Sequence, residues 1–134
     1  MAEKYKELVR KLYAAINSDN LPAAMERFHP EIVRIEPDDF PTPGTYRGLA
    51  EMEGHILKGR ATWAEGSCEP EELVVVGDKI VALVHVKVRL KGREDWIDGR
   101  LGDVFAFKDG KILLMRTFGE QKEALDWAKV NSGT

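Results

Sequence analysis

The stretch Asp95–Phe118, DWIDGRLGDVFAFKDGKILLMRTF, constrains the fold of this chain more than any other part of it. It reads as two long strands joined by a tight turn at Lys108-Asp109-Gly110, where Gly110 is free to take the left-handed conformation that closes a three-residue hairpin loop. Alternation along the first strand puts Ile97, Leu101, Asp103, Phe105 and Phe107 on one face, and Asp98, Arg100, Val104 and Ala106 on the other. Asp103 thus stands in an apolar row. A carboxyl group there is costly to ionise, so it either finds a partner or keeps its proton near neutral pH, and both states are useful to a chemical site.

Upstream of this hairpin the period is also two. Leu73–Val76, a Gly77-Asp78 turn, Ile80–Leu90 and a turn at Gly92 lead into it, so four consecutive antiparallel strands are expected. The first half of the chain reads instead as helix. Tyr5, Leu8, Val9, Leu12, Tyr13 and Ile16 give residues 3–17 one wide apolar stripe. Asn17–Asn20 interrupts it, and Leu21, Ala24, Met25 and Phe28 form a short second helix with Pro22 in its first turn and Pro30 beyond its end. Ile32–Glu36 is a short strand, residues 37–44 a proline-rich loop, residues 48–63 a third helix and Glu120–Val130 a closing one. Helices first and strands afterwards describe an α+β fold with helices on one face of a twisted antiparallel sheet. Both rows of the strand Ile80–Leu90 are apolar, Ile80, Ala82 and Val84 on one side and Val81 and Leu83, with His85, on the other. A helix-free apolar face is usually covered by a second subunit, so a homodimer through that face is expected.

With 134 residues, a single domain over residues 1–134 is expected, with one core and one cavity. Lysine and arginine number 20 against 23 acidic side chains, and the formal charge of −3 offers no footprint for nucleic acid or an anionic membrane. Cys68 is the only cysteine, so an internal disulfide is excluded, and the start MAEKYKELVRKL lacks the apolar segment of a signal peptide. A cytoplasmic location is therefore expected.

The order of elements, together with the stretches GTYRG (Gly44–Gly48), GDKIVALV and FKDGKI, resembles the SnoaL-like branch of the nuclear transport factor 2 superfamily, which includes ketosteroid isomerase. The likeness runs from about Tyr5 to Ala128 and rests on structural turns, which mark a fold better than a chemistry. It implies a cone-shaped, cystatin-like fold in which a curved antiparallel sheet and the helices on its concave face enclose a mostly apolar pocket for a small hydrophobic molecule, with no cofactor. Carried over from the isomerases, the general base falls on Glu36, before Pro37, and the oxyanion-stabilising acid on Asp103. The isomerase tyrosine of the first helix falls on Leu12, with Tyr13 one position on and turned by about 100°. The oxyanion hole is then incomplete. The pocket wall implied by the likeness draws Leu12, Tyr13, Ile16 and Phe28 from the first helices, Arg34 from the strand that carries Glu36, and Tyr46, His55, Ile56 and Trp63 from the middle of the chain. The later strands add Leu83, Leu101, Phe105, Met115 and Thr117.

Abstraction of a proton next to a carbonyl needs a base over the carbon and a donor at the oxygen that becomes an enolate, roles for Glu36 and Asp103. The plainer reading of Asp103 is a lone buried acid satisfied by a backbone amide or by Arg34. A second chemistry uses His85. Folding the Gly92 turn so that Lys91 faces Asp95 puts Leu83 opposite Asp103 and His85 diagonal to it, a His-Asp pair suited to a dehydratase. A third reading is a dimeric module that binds a hydrophobic ligand without altering it. His29 and His55 do not recur with acids at metal-ligand spacing, so no metal site is expected. Asp98 and Arg100 lie on the face away from Asp103, which discounts the Asp-Arg-Asp chemistry of the superfamily's epoxide hydrolases.

Overall fold

The computed structural model describes residues 2–133. Helix α1 (Ala2–Asn17) and the single-turn α2 (Leu21–Met25) are followed by strands β1 (Phe28–Glu36) and β2 (Gly44–Arg47), then helix α3 (Gly48–Ala61). Strands β3 (Trp63–Val76), β4 (Lys79–Leu90), β5 (Ile97–Lys108) and β6 (Lys111–Phe118) come next, and α4 (Gln121–Val130) closes the chain. The six strands form one sheet in the order β2-β1-β6-β5-β4-β3. The fold is α+β as expected, but the sheet is mixed: β1 runs parallel to β6, and every other neighbouring pair is antiparallel.

Three elements depart from the sequence pattern, each for a local reason. Phe28 opens β1 rather than ending α2, because α2 stops after one turn and Pro30 falls where the β1–β6 register shifts, so its missing N–H leaves no gap in the ladder. Trp63 opens β3, which is fourteen residues long rather than four. Gly66 and Pro70 disguise it. Both lie at or beside register shifts in this edge strand, and Gly66 has φ +119° with no room for a Cβ against the Lys87 carbonyl. Strand β2 shows no apolar alternation because only Tyr46 among its four residues is partly buried.

The hairpin turn is tighter than its composition suggested. Asp109 and Gly110 both have positive φ, 54° and 77°, and Lys108 pairs with Lys111, so the loop is a two-residue turn of the mirror-image type that suits twisted strands. Between β4 and β5 the outcome matters more. Arg93 N bonds to Leu90 O and Lys91 N to Thr62 O, which draws the connection off the ladder, and pairing begins at Val88–Ile97. Asp103 therefore faces Ala82, one residue from the expected Leu83. A shift of one residue exchanges the faces, so His85 and Leu83 point away from Asp103.

Both faces of the sheet are packed from within the chain. On one, Val9, Leu12 and Tyr13 of α1 and Met52 of α3 meet Ala82, Val84, Phe105 and Met115. On the other, Ala124 and Ala128 of α4 meet Val81 and Val104, with Leu83 against them. Gly102 permits this approach, since a Cβ there would lie 2.5 Å from Ala124 Cβ. The apolar row that suggested a second subunit is thus largely covered by α4, and beyond it the face carries ion pairs, among them Arg100 with Glu71 at 2.8 Å.

Candidate active site

Between the first core face and the helices α1 and α3 lies a cavity of about 470 Å³. Its wall is mainly apolar, from Ile16, Ile56, Trp63, Val84, Leu101 and Met115, and the loop between β1 and β2 adds Phe40, Pro41 and Thr42. Two buried acids open onto it, Glu36 and Asp103, with the exposed Asp39 at its edge. The size and the few convergent polar groups suit a small-molecule site.

Asp103 is 4% exposed, and both its oxygens are occupied. The Tyr13 hydroxyl bonds to Oδ2 and the Thr117 hydroxyl to Oδ1. Thr117 is its direct partner across the β5–β6 ladder. Tyr13 arrives from α1, whose last turn is fastened by the Asn17 amide to Cys68 O at 2.9 Å and by Arg60 Nε to Ile16 O at 2.9 Å. Burial pushes the Asp103 carboxyl up from its ordinary value, against the opposing pull of Arg34 and of the two hydroxyls. Burial and the neighbouring Asp103 push Tyr13 well up too. Tyr13, rather than Leu12, is the first-helix residue that meets Asp103. Leu12 lies wholly in the core instead, because the helical stripe that reaches Asp103 passes through Tyr13.

Glu36 ends β1 and is 8% exposed. Burial alone would raise its carboxyl, yet His55, Arg34 and Thr42 together hold it below the ordinary value. Thr42 Oγ1 donates to Oε2 at 3.0 Å, His55 Nε2 lies 3.1 Å from the same atom, and Arg34 Nη2 3.5 Å from it. Arg34 is itself fixed by bonds from Nη1 to the carbonyls of Ile35 and Met115, at 2.8 and 3.2 Å. Cys68 also lines the cavity, and burial pushes its thiol up to about 12, which leaves it a protonated wall residue rather than a nucleophile.

Eleven of the residues expected at the site line this cavity: Tyr13, Ile16, Arg34, Glu36, His55, Ile56, Trp63, Leu101, Asp103, Met115 and Thr117. Six do not. Leu12, Phe28 and Phe105 are core, with Phe105 edge-on to the Tyr13 ring at 6.1 Å. Tyr46 stands behind the wall, its ring tilted by 36° against His55 with centroids 4.2 Å apart. Leu83 packs with α4, and His85 is bound on the outer face to Asp98 at 2.7 Å, which removes the His85–Asp103 pair. Thr42, Phe40 and Arg60 were missed. Thr42 carried one usable signal, its place in an ordered loop six residues beyond Glu36. Among the described residues no three His, Cys, Asp or Glu side chains gather to hold a metal ion, and no helix is long and apolar enough to cross a membrane.

Solved structures share this architecture at low identity. An NTF2-like protein of unknown function from Burkholderia pseudomallei superposes with a TM-score of 0.77 at 21% identity, over 92% of this chain and 95% of that one. A hypothetical protein of ketosteroid isomerase-like fold from Catenulispora acidiphila, in complex with trimethylamine, gives 0.74 at 14% identity over 84% of each chain. A candidate polyketide cyclase from Sinorhizobium meliloti gives 0.70 at 22% identity over 84% of this chain and 94% of that one. No curated protein sequence matches the chain. The SnoaL-like domain model matches residues 9–115, most of the cavity wall included, and the chain belongs to the SnoaL-like family.

Proposed function

We propose that this protein moves a proton on a hydrophobic carbonyl compound without a cofactor, with Glu36 as base and the Tyr13–Asp103 pair as donor to the carbonyl oxygen. One observation carries the reading: the two buried acids of a single, mainly apolar cavity have surroundings that push their proton affinities in opposite directions. That divergence supports the lowered group as base and the raised one as acid. Glu36 stays ionised and ready, and its low basicity lets the captured proton go easily, either back to another carbon or to solvent, which suits an isomerase or a reversible lyase. Asp103, with its proton retained, turns its O–H to the Tyr13 oxygen when the ketone binds, which frees the Tyr13 proton for the enolate oxygen as it gains charge.

The engagement of both Asp103 oxygens by Tyr13 and Thr117 favours a second reading, a pocket that only binds. Exchange of the α-protons of β-tetralone in D2O, followed by NMR, separates the two. Catalysed exchange is expected in the wild type, with a loss of about 10²–10⁴-fold in Glu36→Gln and binding retained. Tyr13→Phe is expected to lose about 10²–10³-fold. Binding of the ketone with no exchange above buffer would favour the binding module and end the catalytic reading.

A further inference from the structure

Three groups from three places in the chain converge on one oxygen of Glu36. Thr42 of the β1–β2 loop, His55 of α3 and Arg34 of β1 all meet Oε2, at 3.0, 3.1 and 3.5 Å. None of the described residues donates a hydrogen bond to Oε1. The carboxylate is therefore one-sided. The His55 side chain is 8% exposed, its ring packs at a tilt against Tyr46, and its other nitrogen, Nδ1, is buried with no partner among the described residues.

We infer that His55 is a positioning residue for the base, a neutral imidazole that donates from Nε2 to Oε2 of Glu36 and so reserves Oε1 for the substrate proton. The inference rests on the assignment of Glu36 as base and adds the charge of the substrate. An imidazolium here would bury a second N–H with nothing to accept it, a worse arrangement than a buried bare nitrogen. The Nδ1–H tautomer would turn a lone pair toward the carboxylate. Only the Nε2–H form gives Glu36 a donor without stranding another.

Charged groups of both signs surround His55. Glu36 and Arg34 face it from β1, Tyr46 from β2 and Thr42 from the loop, while Asp39 of that loop and Arg60 of α3 line the same cavity. Arg34 alone balances Glu36 at contact range, and Asp103 across the cavity keeps its proton in the proposed mechanism. A neutral His55 leaves the centre without net charge. Such a centre takes an uncharged ketone rather than a carboxylate-bearing one.

Ring ¹⁵N and Glu36 carboxyl ¹³C NMR on the full chain test this without any need for turnover. At neutral pH the His55 ring should show one protonated nitrogen, Nε2, and one bare nitrogen. His55→Phe should raise the Glu36 midpoint by at least tenfold in proton affinity, and His55→Gln, whose amide nitrogen reaches the Nε2 position, should bring most of it back. A purely packing role for His55 predicts no such rescue. A ring with both nitrogens protonated, or a Glu36 midpoint unmoved in His55→Phe, would overturn the inference. If His55→Phe does not fold, the wild-type ring and His55→Gln decide it, since a charged wild-type ring alone is fatal. Absence of proton exchange in the wild type would defeat the catalytic reading and leave the His55–Glu36 geometry to be judged by these spectra.

Discussion

Burial acts on Glu36 and Asp103 in the same direction, and their neighbours decide where each ends. Arg34 lowers both, but only Glu36 has it in contact, together with His55 and Thr42. Asp103 gains hydroxyl partners and remains raised, and this carries a stability consequence. A carboxyl whose folded value lies above its unfolded one binds more protons in the native state. Stability is then present at low pH and falls as the pH rises from about 4, the unfolded value, toward the folded one. Asp103→Asn removes that penalty. Thermal unfolding should find the variant closest to wild type near pH 4 and more stable than it at pH 8, where each kcal/mol is worth about 2–8 °C. A difference that shrinks toward alkaline pH would contradict the raised carboxyl. Asp103 was legible in the sequence because one acid in a row of Leu101, Phe105 and Phe107 stands out under a period of two. His55 and Thr42 were not legible as partners of Glu36. Their approach is set by the packing of α3 and by a proline-rich loop, and no local period encodes either.

Secondary elements explain why the histidine nearest in pattern was the wrong one. The strand pair β4–β5 was predicted correctly, and its alternation too, but register depends on how the connection at residues 91–96 leaves the ladder. Backbone bonds in that turn decide it, and the choice between Ala82 and Leu83 opposite Asp103 sends His85 to one side of the sheet or the other. The placement of α4 was likewise open to the amphipathic pattern, which shows that Ala124 and Ala128 are buried without saying against what. Gly102 marks the spot. Gly102→Ala should cost about 1–3 kcal/mol by forcing α4 off β5, as measured by denaturant unfolding. Because the contact is with the Ala124 methyl, Gly102→Ala combined with Ala124→Gly should recover part of that loss beyond additivity. Additive losses would mean that the two positions do not meet.

At the level of the whole molecule, two cores divide the work. The α4 side is filled with small and branched side chains, whereas the side under α1 and α3 is left hollow and carries the ionisable groups. A net charge of −3 spread over the surface gives a ligand little steering, so selection by charge rests with the cavity itself. Arg34 there has its charge cancelled by Glu36 and cannot leave, since its guanidinium is tied to two backbone carbonyls. The expectation for a pair of ligands of similar shape follows. The wild type should prefer neutral 2-acetylnaphthalene to 2-naphthoate, and thermal shifts should show it, because ligand at 100 times its Kd adds about 2.7 kcal/mol to stability. Glu36→Gln keeps the side chain's shape, removes its charge and leaves Arg34 unbalanced inside an apolar wall. Naphthoate should then gain at least tenfold in affinity while acetylnaphthalene changes little, and calorimetric titration of both ligands against both proteins measures the exchange. If naphthoate binds the wild type as well as the variant, Glu36 does not neutralise Arg34, and the charge-balanced cavity is not how this protein chooses what it holds.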